Sequence, residues 1–184
     1  YPGDNFDYHL KPFREAINNG LRVIMPYYGI PVGQTDEDVA MGFNKMILTD
    51  LLRDELGFTG VVCADWGIVS SRTWGVEHLT IKQRYKKSLD AGMDQYGGVS
   101  DTQSVVELVQ EGQISEARIN LSVKRILINK FEMGLFEQSL VDEEILPKLV
   151  NKPEYIQAGL DAQRKSMVLL NNKQVLPLSK GKKI

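Results

Sequence analysis

The fold of this chain is decided by the stretch Gly57-Phe58-Thr59-Gly60-Val61-Val62-Cys63-Ala64-Asp65-Trp66-Gly67. Residues 61–64 are apolar and small or β-branched, which predicts a strand with neither face in solvent, as in a parallel sheet covered on both sides. The strand ends at a carboxylate, Asp65, which an indole, Trp66, follows. In an α/β barrel this end of a strand carries the chemistry. We therefore expect Asp65 to be catalytic, the alternative being a carboxylate that only caps a helix or orders a loop.

The sequence on both sides of this stretch alternates between helical and strand patterns. Two further short apolar runs predict strands at residues 21–25 and 93–96. Apolar residues at helical spacing, with glycine stops, predict helices at about residues 8–19, 38–56, 80–91, 101–110 and 115–133. Strands that alternate with helices through short connections are typical of right-handed βαβ units, so we expect an α/β fold with a parallel sheet.

The helix before the Asp65 strand carries a more specific pattern. It contains Phe43-Asn44-Lys45, then Leu48-Thr49-Asp50-Leu51-Leu52-Arg53, then Glu55-Leu56-Gly57-Phe58, and it leads directly into the stretch quoted above. This combination resembles the nucleophile segment of glycoside hydrolase family 3. The resemblance covers nearly the whole chain, and in it the three predicted strands are similar to the sixth, seventh and eighth strands of the family's barrel.

The resemblance implies a fold and a division into domains. The chain would be the C-terminal part of a (β/α)8 TIM-type barrel over residues 1–137, an interdomain linker over 138–160 and the start of an α/β sandwich domain over 161–184. The last assignment depends on Leu170-Asn171-Asn172 and Val175-Leu176-Pro177-Leu178, which resemble the family's entry into its second domain. Because three strands cannot close an eight-stranded barrel, we expect the remainder of the same polypeptide to be missing and the fragment alone to be inactive.

The resemblance also implies an activity and a set of site residues. The protein would be a retaining, exo-acting β-glycosidase, a β-glucosidase or a β-xylosidase, acting on an oligosaccharide or another β-glycoside. Such an enzyme uses an ionised carboxylate as nucleophile and a second carboxyl group about 5–5.5 Å away as acid and base. Asp65 is the expected nucleophile, Tyr28 the residue that positions it, and Trp66 an indole that lines the sugar site. The acid/base is expected outside this chain.

Simpler interpretations and two other functions stay open. Tyr28 and Trp66 could be packing residues, and loop position is the only argument for a specificity role of the residues Trp74, Glu77 and His78. A glycoside phosphorylase is one alternative, because Gly97-Gly98 before a helix suits phosphate, although Asp101 would oppose an anion. The other is a non-catalytic carbohydrate-binding protein derived from such an enzyme, which would have no need of a nucleophile.

Composition excludes several classes of partner. A formal net charge of −2 and a pI near 5.8 argue against nucleic acid and against an anionic membrane surface, and no apolar run approaches a membrane span of roughly 20 residues. Neither His9 nor His78 has another ligand at metal-binding spacing, so we expect no metal and no cofactor. Cys63, a lone cysteine, is predicted to be a buried apolar residue, and it leaves the cellular compartment open.

Overall fold

The computed structural model describes residues 2–137 and 143–181 of the chain. The chain divides into two compact units, Tyr1–Glu137 and Gln138–Ile184. No helix within the described ranges is both long enough and apolar enough to cross a membrane.

The first unit contains a three-stranded parallel sheet. Its strands are β1 (Val23–Ile24), β2 (Val61–Trp66) and β3 (Gln95–Gly97), in the spatial order β1-β2-β3. This arrangement confirms the predicted α/β fold with a parallel sheet. Pairing between β2 and β3 is irregular, because Cys63 lies opposite Gln95 whereas Trp66 lies opposite Gly97. β2 therefore has one more residue than β3 in this interval, and Asp65 lies within the irregular part.

Helices precede and follow each strand of the sheet. The first unit contains a 3₁₀ turn (Pro2–Asp4), α1 (Phe6–Asn18), a second 3₁₀ turn (Met41–Phe43), a π-helix (Met46–Glu55), α2 (Ile81–Ala91), α3 (Gln103–Gln110) and α4 (Glu116–Glu132). Helix α2 begins with a capping box between Thr80 and Gln83, and it ends at Gly92, whose φ of 120° a side chain would disfavour. These caps set the first and last residues of α2, the helix that connects β2 to β3 in the chain.

The helix predicted over residues 38–56 is shorter in the structure. Its start is delayed because Asn44 is extended and buried, and the Asn44 side-chain oxygen caps the helix by accepting from the Ile47 amide at 3.1 Å. The same side chain donates to Thr35 Oγ1 at 2.8 Å and to the Glu37 carbonyl at 3.2 Å, which holds the preceding loop against the helix start. The helix then winds with i→i+5 hydrogen bonds, as from the Leu56 amide to the Leu51 carbonyl at 2.9 Å.

The hydrophobic core of the first unit lies around β2. Val61, Val62 and Ala64 are buried, as predicted for a strand covered on both faces, while Cys63 is half-buried. Helices and loops supply the other fully buried apolar side chains, among them Phe43, Leu48, Phe58, Val69, Val76, Tyr85, Met93 and Leu108. The core therefore fixes β2 from several directions up to the residue before Asp65.

A buried carboxylate joins β2 to two helices. The Asp94 side chain is 0% exposed, and its Oδ2 accepts from the Val62 amide at 3.0 Å and from Arg53 Nη2 of the π-helix at 2.6 Å. Its Oδ1 accepts from Ser122 Oγ at 2.6 Å and from Arg125 Nη1 at 2.9 Å, both on α4. Burial, aided by the nearby Arg125 charge, lowers the pKa of Arg53 to about 10, although Asp94 opposes this shift. A guanidinium with that pKa remains charged at neutral pH, so the ion pair is intact.

Within the described part of the second unit, two helices are present, α5 (Leu146–Leu149) and α6 (Pro153–Ser166). Residues 167–181 form neither helix nor strand; in this segment the Asn172 side-chain oxygen accepts from the amides of Val175 and Leu176. Residues 138–142 of the predicted linker and 182–184 of the predicted sandwich segment lie outside the described residues. The assignments of linker and sandwich domain stay predictions.

Candidate active site

Asp65 lies at the carboxyl end of β2, where the buried strand opens into a loop. Its side chain is half-buried, and Oδ1 accepts a hydrogen bond from the Trp66 amide at 2.6 Å. The next residue, Gly67, continues the contact with β3 by donating its amide to the Gly97 carbonyl at 3.1 Å. The carboxylate is thus held at a strand end that is anchored on both sides, with part of its surface open to solvent.

Trp66 is fixed by two glycines at the end of β3. A Cβ atom on Gly98 would lie 2.4 Å from the indole, and one on Gly97 would lie 2.9 Å from it, so only glycines leave room for the ring. Despite this contact Trp66 is 67% exposed. The indole therefore lies over the end of β3, and much of its apolar surface is exposed.

The loop after β2 is ordered by hydrogen bonds to its backbone carbonyls. The Gly67 carbonyl accepts from the amides of Ser71 and Arg72 at 2.9 and 3.0 Å. Arg84, on α2, donates to the carbonyls of Val69, Val76 and Glu77 at 3.1, 3.2 and 2.9 Å, and so ties the far half of the loop to the helix. The loop is consequently a defined part of the surface around Asp65.

Tyr28 lies in the loop after β1 and contacts the loop after β2. Its ring meets the Trp74 ring edge-on, with the centroids 5.4 Å apart, and the Arg72 guanidinium lies 4.9 Å from its centroid. The adjacent ring, that of Tyr27, is 6.0 Å away. A hydrogen bond from the Tyr28 hydroxyl to Asp65, which would position the carboxylate, is not among the contacts of the described residues, so the positioning role of Tyr28 stays a prediction.

Arg72 contacts two of the candidate site residues, which the sequence pattern did not reveal. Its Nε donates to the Trp66 carbonyl at 3.0 Å, and its guanidinium covers the Tyr28 ring. The signal available in the sequence was an arginine seven residues after Asp65, in a loop that already held two aromatic residues. That signal does not show which groups the arginine contacts.

The other candidates have local roles in the loop or strand. Glu77 accepts from the Gly75 amide at 3.1 Å, and His78 is exposed further along the loop. Cys63 is half-buried, and burial raises the pKa of its thiol, which keeps the thiol protonated at neutral pH. Within residues 2–137 and 143–181, no group of three or more His, Cys, Asp or Glu side chains has a geometry that could hold a metal ion.

The features that favoured a phosphate site have other partners in the structure. The two glycines of Gly97-Gly98 lie against the Trp66 indole. At the start of α3 the Asp101 carboxylate accepts from the Ser104 amide at 3.1 Å and from the Ser104 hydroxyl, so an acidic group already occupies the helix N-terminus. The Asp101 carboxylate at this helix start does not favour an anion, and the glycoside phosphorylase stays an alternative.

Comparisons with known proteins agree with the fold of the chain. The family model named "Glycosyl hydrolase family 3 N terminal domain" matches residues 4–128. The chain is 48% identical over 194 residues to the "Probable beta-glucosidase C" of Aspergillus oryzae, and this alignment covers 100% of the chain and 30% of that protein. It is 38% identical over 205 residues to the "Periplasmic beta-glucosidase/beta-xylosidase" of Dickeya chrysanthemi, and this alignment covers 98% of the chain and 31% of that protein.

A solved structure shows the same relationship in three dimensions. A β-glucosidase involved in saponin metabolism from intestinal bacteria superposes with a TM-score of 0.75 at 30% sequence identity, over 92% of this chain and 22% of that one. The chain thus spans about 30% of the length of the curated relatives described above.

Proposed function

The chain belongs to glycosyl hydrolase family 3, and from this membership we propose that the intact protein containing it is a retaining, exo-acting β-glycosidase that uses Asp65 as its nucleophile. The relatives named β-glucosidase and β-glucosidase/β-xylosidase favour a terminal β-linked glucose or xylose as the sugar that is released. The single observation that carries the proposal is the half-buried Asp65 carboxylate at the exposed end of an otherwise buried parallel strand.

We propose that the sheet is part of a larger barrel. Strands β1 to β3 would be its last three strands, with residues 1–137 in the TIM-type barrel, 138–160 in a linker and 161–184 at the start of an α/β sandwich domain. The parallel strand order supports the barrel, and the share of the relatives that the chain spans leaves room for the remaining strands and the acid/base. On this proposal the 184 residues alone are inactive.

The proposed reaction has two steps. In the first, Asp65 attacks the anomeric carbon, the bond from that carbon to the glycosidic oxygen breaks, and the leaving oxygen takes a proton from the acid supplied elsewhere in the protein. In the second, water takes the place of Asp65 at the anomeric carbon and gives its proton to the same acid/base, which returns both carboxyl groups to their starting state.

The contacts of Asp65 suit this role. The hydrogen bond from the Trp66 amide holds the Oδ1 atom of the carboxylate in a fixed direction. Oδ2 accepts no hydrogen bond from the described residues, so its lone pairs are free to attack. The exposed Trp66 indole offers a flat apolar surface to the C–H face of a pyranose, and the Tyr28 hydroxyl is proposed to orient Asp65 when substrate is bound.

The test is covalent trapping in the intact protein. A 2-fluoro aryl β-glucoside slows hydrolysis of a glycosyl-enzyme, so intact mass should rise by one fluorosugar and peptide mapping should locate the adduct on Asp65. Asp65→Asn should give no adduct. Asp90→Asn, the same chemical change at an exposed ion pair with Lys86, should react like the unmodified sequence.

Each other outcome has a definite meaning. An adduct on a different carboxylate would refute the assignment of Asp65 while keeping the retaining mechanism. Turnover that requires inorganic phosphate would establish a glycoside phosphorylase. Sugar binding without adduct or turnover, over glucoside, xyloside and N-acetylglucosaminide probes, would establish a binding protein.

A further inference from the structure

Arg72 contacts two of the three predicted site residues, and its backbone is fixed as well. Its amide donates to the Gly67 carbonyl at 3.0 Å, its Nε donates to the Trp66 carbonyl at 3.0 Å, and its guanidinium lies over the Tyr28 ring. We infer that Arg72 is a positioning residue for Asp65, acting through the Trp66 peptide and through Tyr28. This inference rests on the proposed function of Asp65 as nucleophile.

The first route runs through the peptide groups that flank Trp66. The Trp66 amide donates to Asp65 Oδ1, while the carbonyl of the same residue accepts from Arg72. With both backbone groups of Trp66 engaged, the direction of its amide is fixed, and therefore so is the Asp65 oxygen that this amide holds. Loss of the Arg72 side chain would release the carbonyl and allow the amide to turn away from the carboxylate.

The second route links the loops after two neighbouring strands. Tyr28 follows β1 and Arg72 follows β2, so the cation above the ring holds these two loops together at the end of the sheet. Trp74 supports the Tyr28 ring from another side. Arg72 thus helps to set where the Tyr28 ring lies at the end of the sheet, and the proposed mechanism requires the hydroxyl of that ring to reach Asp65 when substrate is bound.

A purely structural role is already filled by another arginine. Arg84 orders the same loop through three carbonyls, and none of its hydrogen bonds within the described residues goes to Asp65, Trp66 or Tyr28. Arg84 is therefore a matched control, because its removal loosens the loop without removing a hydrogen bond to Asp65, Trp66 or Tyr28. A comparison of the two variants separates positioning of Asp65 from general order of the loop.

The experiment uses the intact protein and the 2-fluoro aryl β-glucoside. Arg72→Met should form the Asp65 adduct about 10- to 100-fold more slowly, because small misplacements of a reacting group have effects of this size. Its KM for an aryl β-glucoside should change little, since the arginine does not bind substrate in this proposal. Arg72→Lys should recover part of the rate. In Arg72→Ala, added guanidinium chloride should restore part of it. Arg84→Met should lower thermal stability and leave the rate of adduct formation nearly unchanged.

The outcomes separate two kinds of failure. Absence of an Asp65 adduct in the unmodified protein would refute the proposed function itself. If that adduct forms, but Arg72→Met forms it at the unmodified rate, Arg72 is not a positioning residue. Equal slowing by Arg72→Met and Arg84→Met, with no recovery on adding guanidinium, would also overturn the inference and assign Arg72 to loop order alone.

Discussion

Replacement of Asp94 by asparagine should strongly destabilise the region around β2. The carboxylate is fully buried, and its two oxygens accept hydrogen bonds from Ser122, Arg125, Arg53 and the Val62 amide. Asparagine must place an amide nitrogen where one oxygen was, so the two groups that donate to that oxygen would meet an N–H donor instead of an acceptor. The guanidinium groups would also lose their counter-charge. Removing one partner from a buried ion pair costs about 3–5 kcal/mol, which is the loss that we expect here.

Hydrogen exchange in the intact protein measures this loss locally. Each 1.4 kcal/mol corresponds to about a tenfold change, so amide protection in the peptide that contains residues 61–66 should fall by about 100-fold or more. Asp90→Asn provides the control, because its exposed i,i+4 pair with Lys86 should contribute only about 0.3–0.5 kcal/mol. A decrease of less than about 1 kcal/mol for Asp94→Asn would refute the reasoning, since it would mean that the arginines need no buried counter-charge.

Two further predictions concern contacts at the edges of the first unit. Gly98 and Gly112 both have positive φ values, 65° and 69°, so alanine at either position carries a backbone cost of about 1–2 kcal/mol. Only Gly98→Ala should also displace Trp66 and raise the KM for β-glucosides. An equal KM for the two variants would argue against an indole at the sugar site. The pKa of Glu107 is lowered chiefly by a hydrogen bond from Lys82. Lys82→Met should therefore raise that pKa in an NMR titration. Because a lowered carboxyl pKa contributes stability that is lost as pH falls through it, the variant should also lose less stability on acidification, and an unchanged titration would contradict the assignment.

Much of the fold could be predicted because its signals are local. A short apolar run and the glycine stops after each helix located β2 and α2 closely, and the alternation of elements predicted the parallel sheet. The delayed start of the π-helix was not predictable in this way. It depends on hydrogen bonds from Asn44 to Thr35 and Glu37, nine and seven residues earlier in the chain, which no periodicity records.

The candidate site divides in the same manner. The position of Asp65 follows from the pattern of one strand, and the structure places it at the strand end as predicted. The seat of Trp66 on Gly97-Gly98 depends on the irregular register between β2 and β3, and the contacts of Arg72 depend on how two loops fold back. Such features arise from tertiary pairing, so the sequence alone named the residues without their neighbours.

The shared carboxylate also limits the order in which this sequence can change during evolution. Three arginines, Arg53, Arg118 and Arg125, lie within 4 Å of Asp94. Loss of one arginine leaves Asp94 paired with the other two, whereas loss of Asp94 leaves all three arginines without this counter-charge. Substitution should therefore begin at the arginines and reach Asp94 last, and ancestral sequences reconstructed along any lineage that has lost the cluster should show this sequence of events.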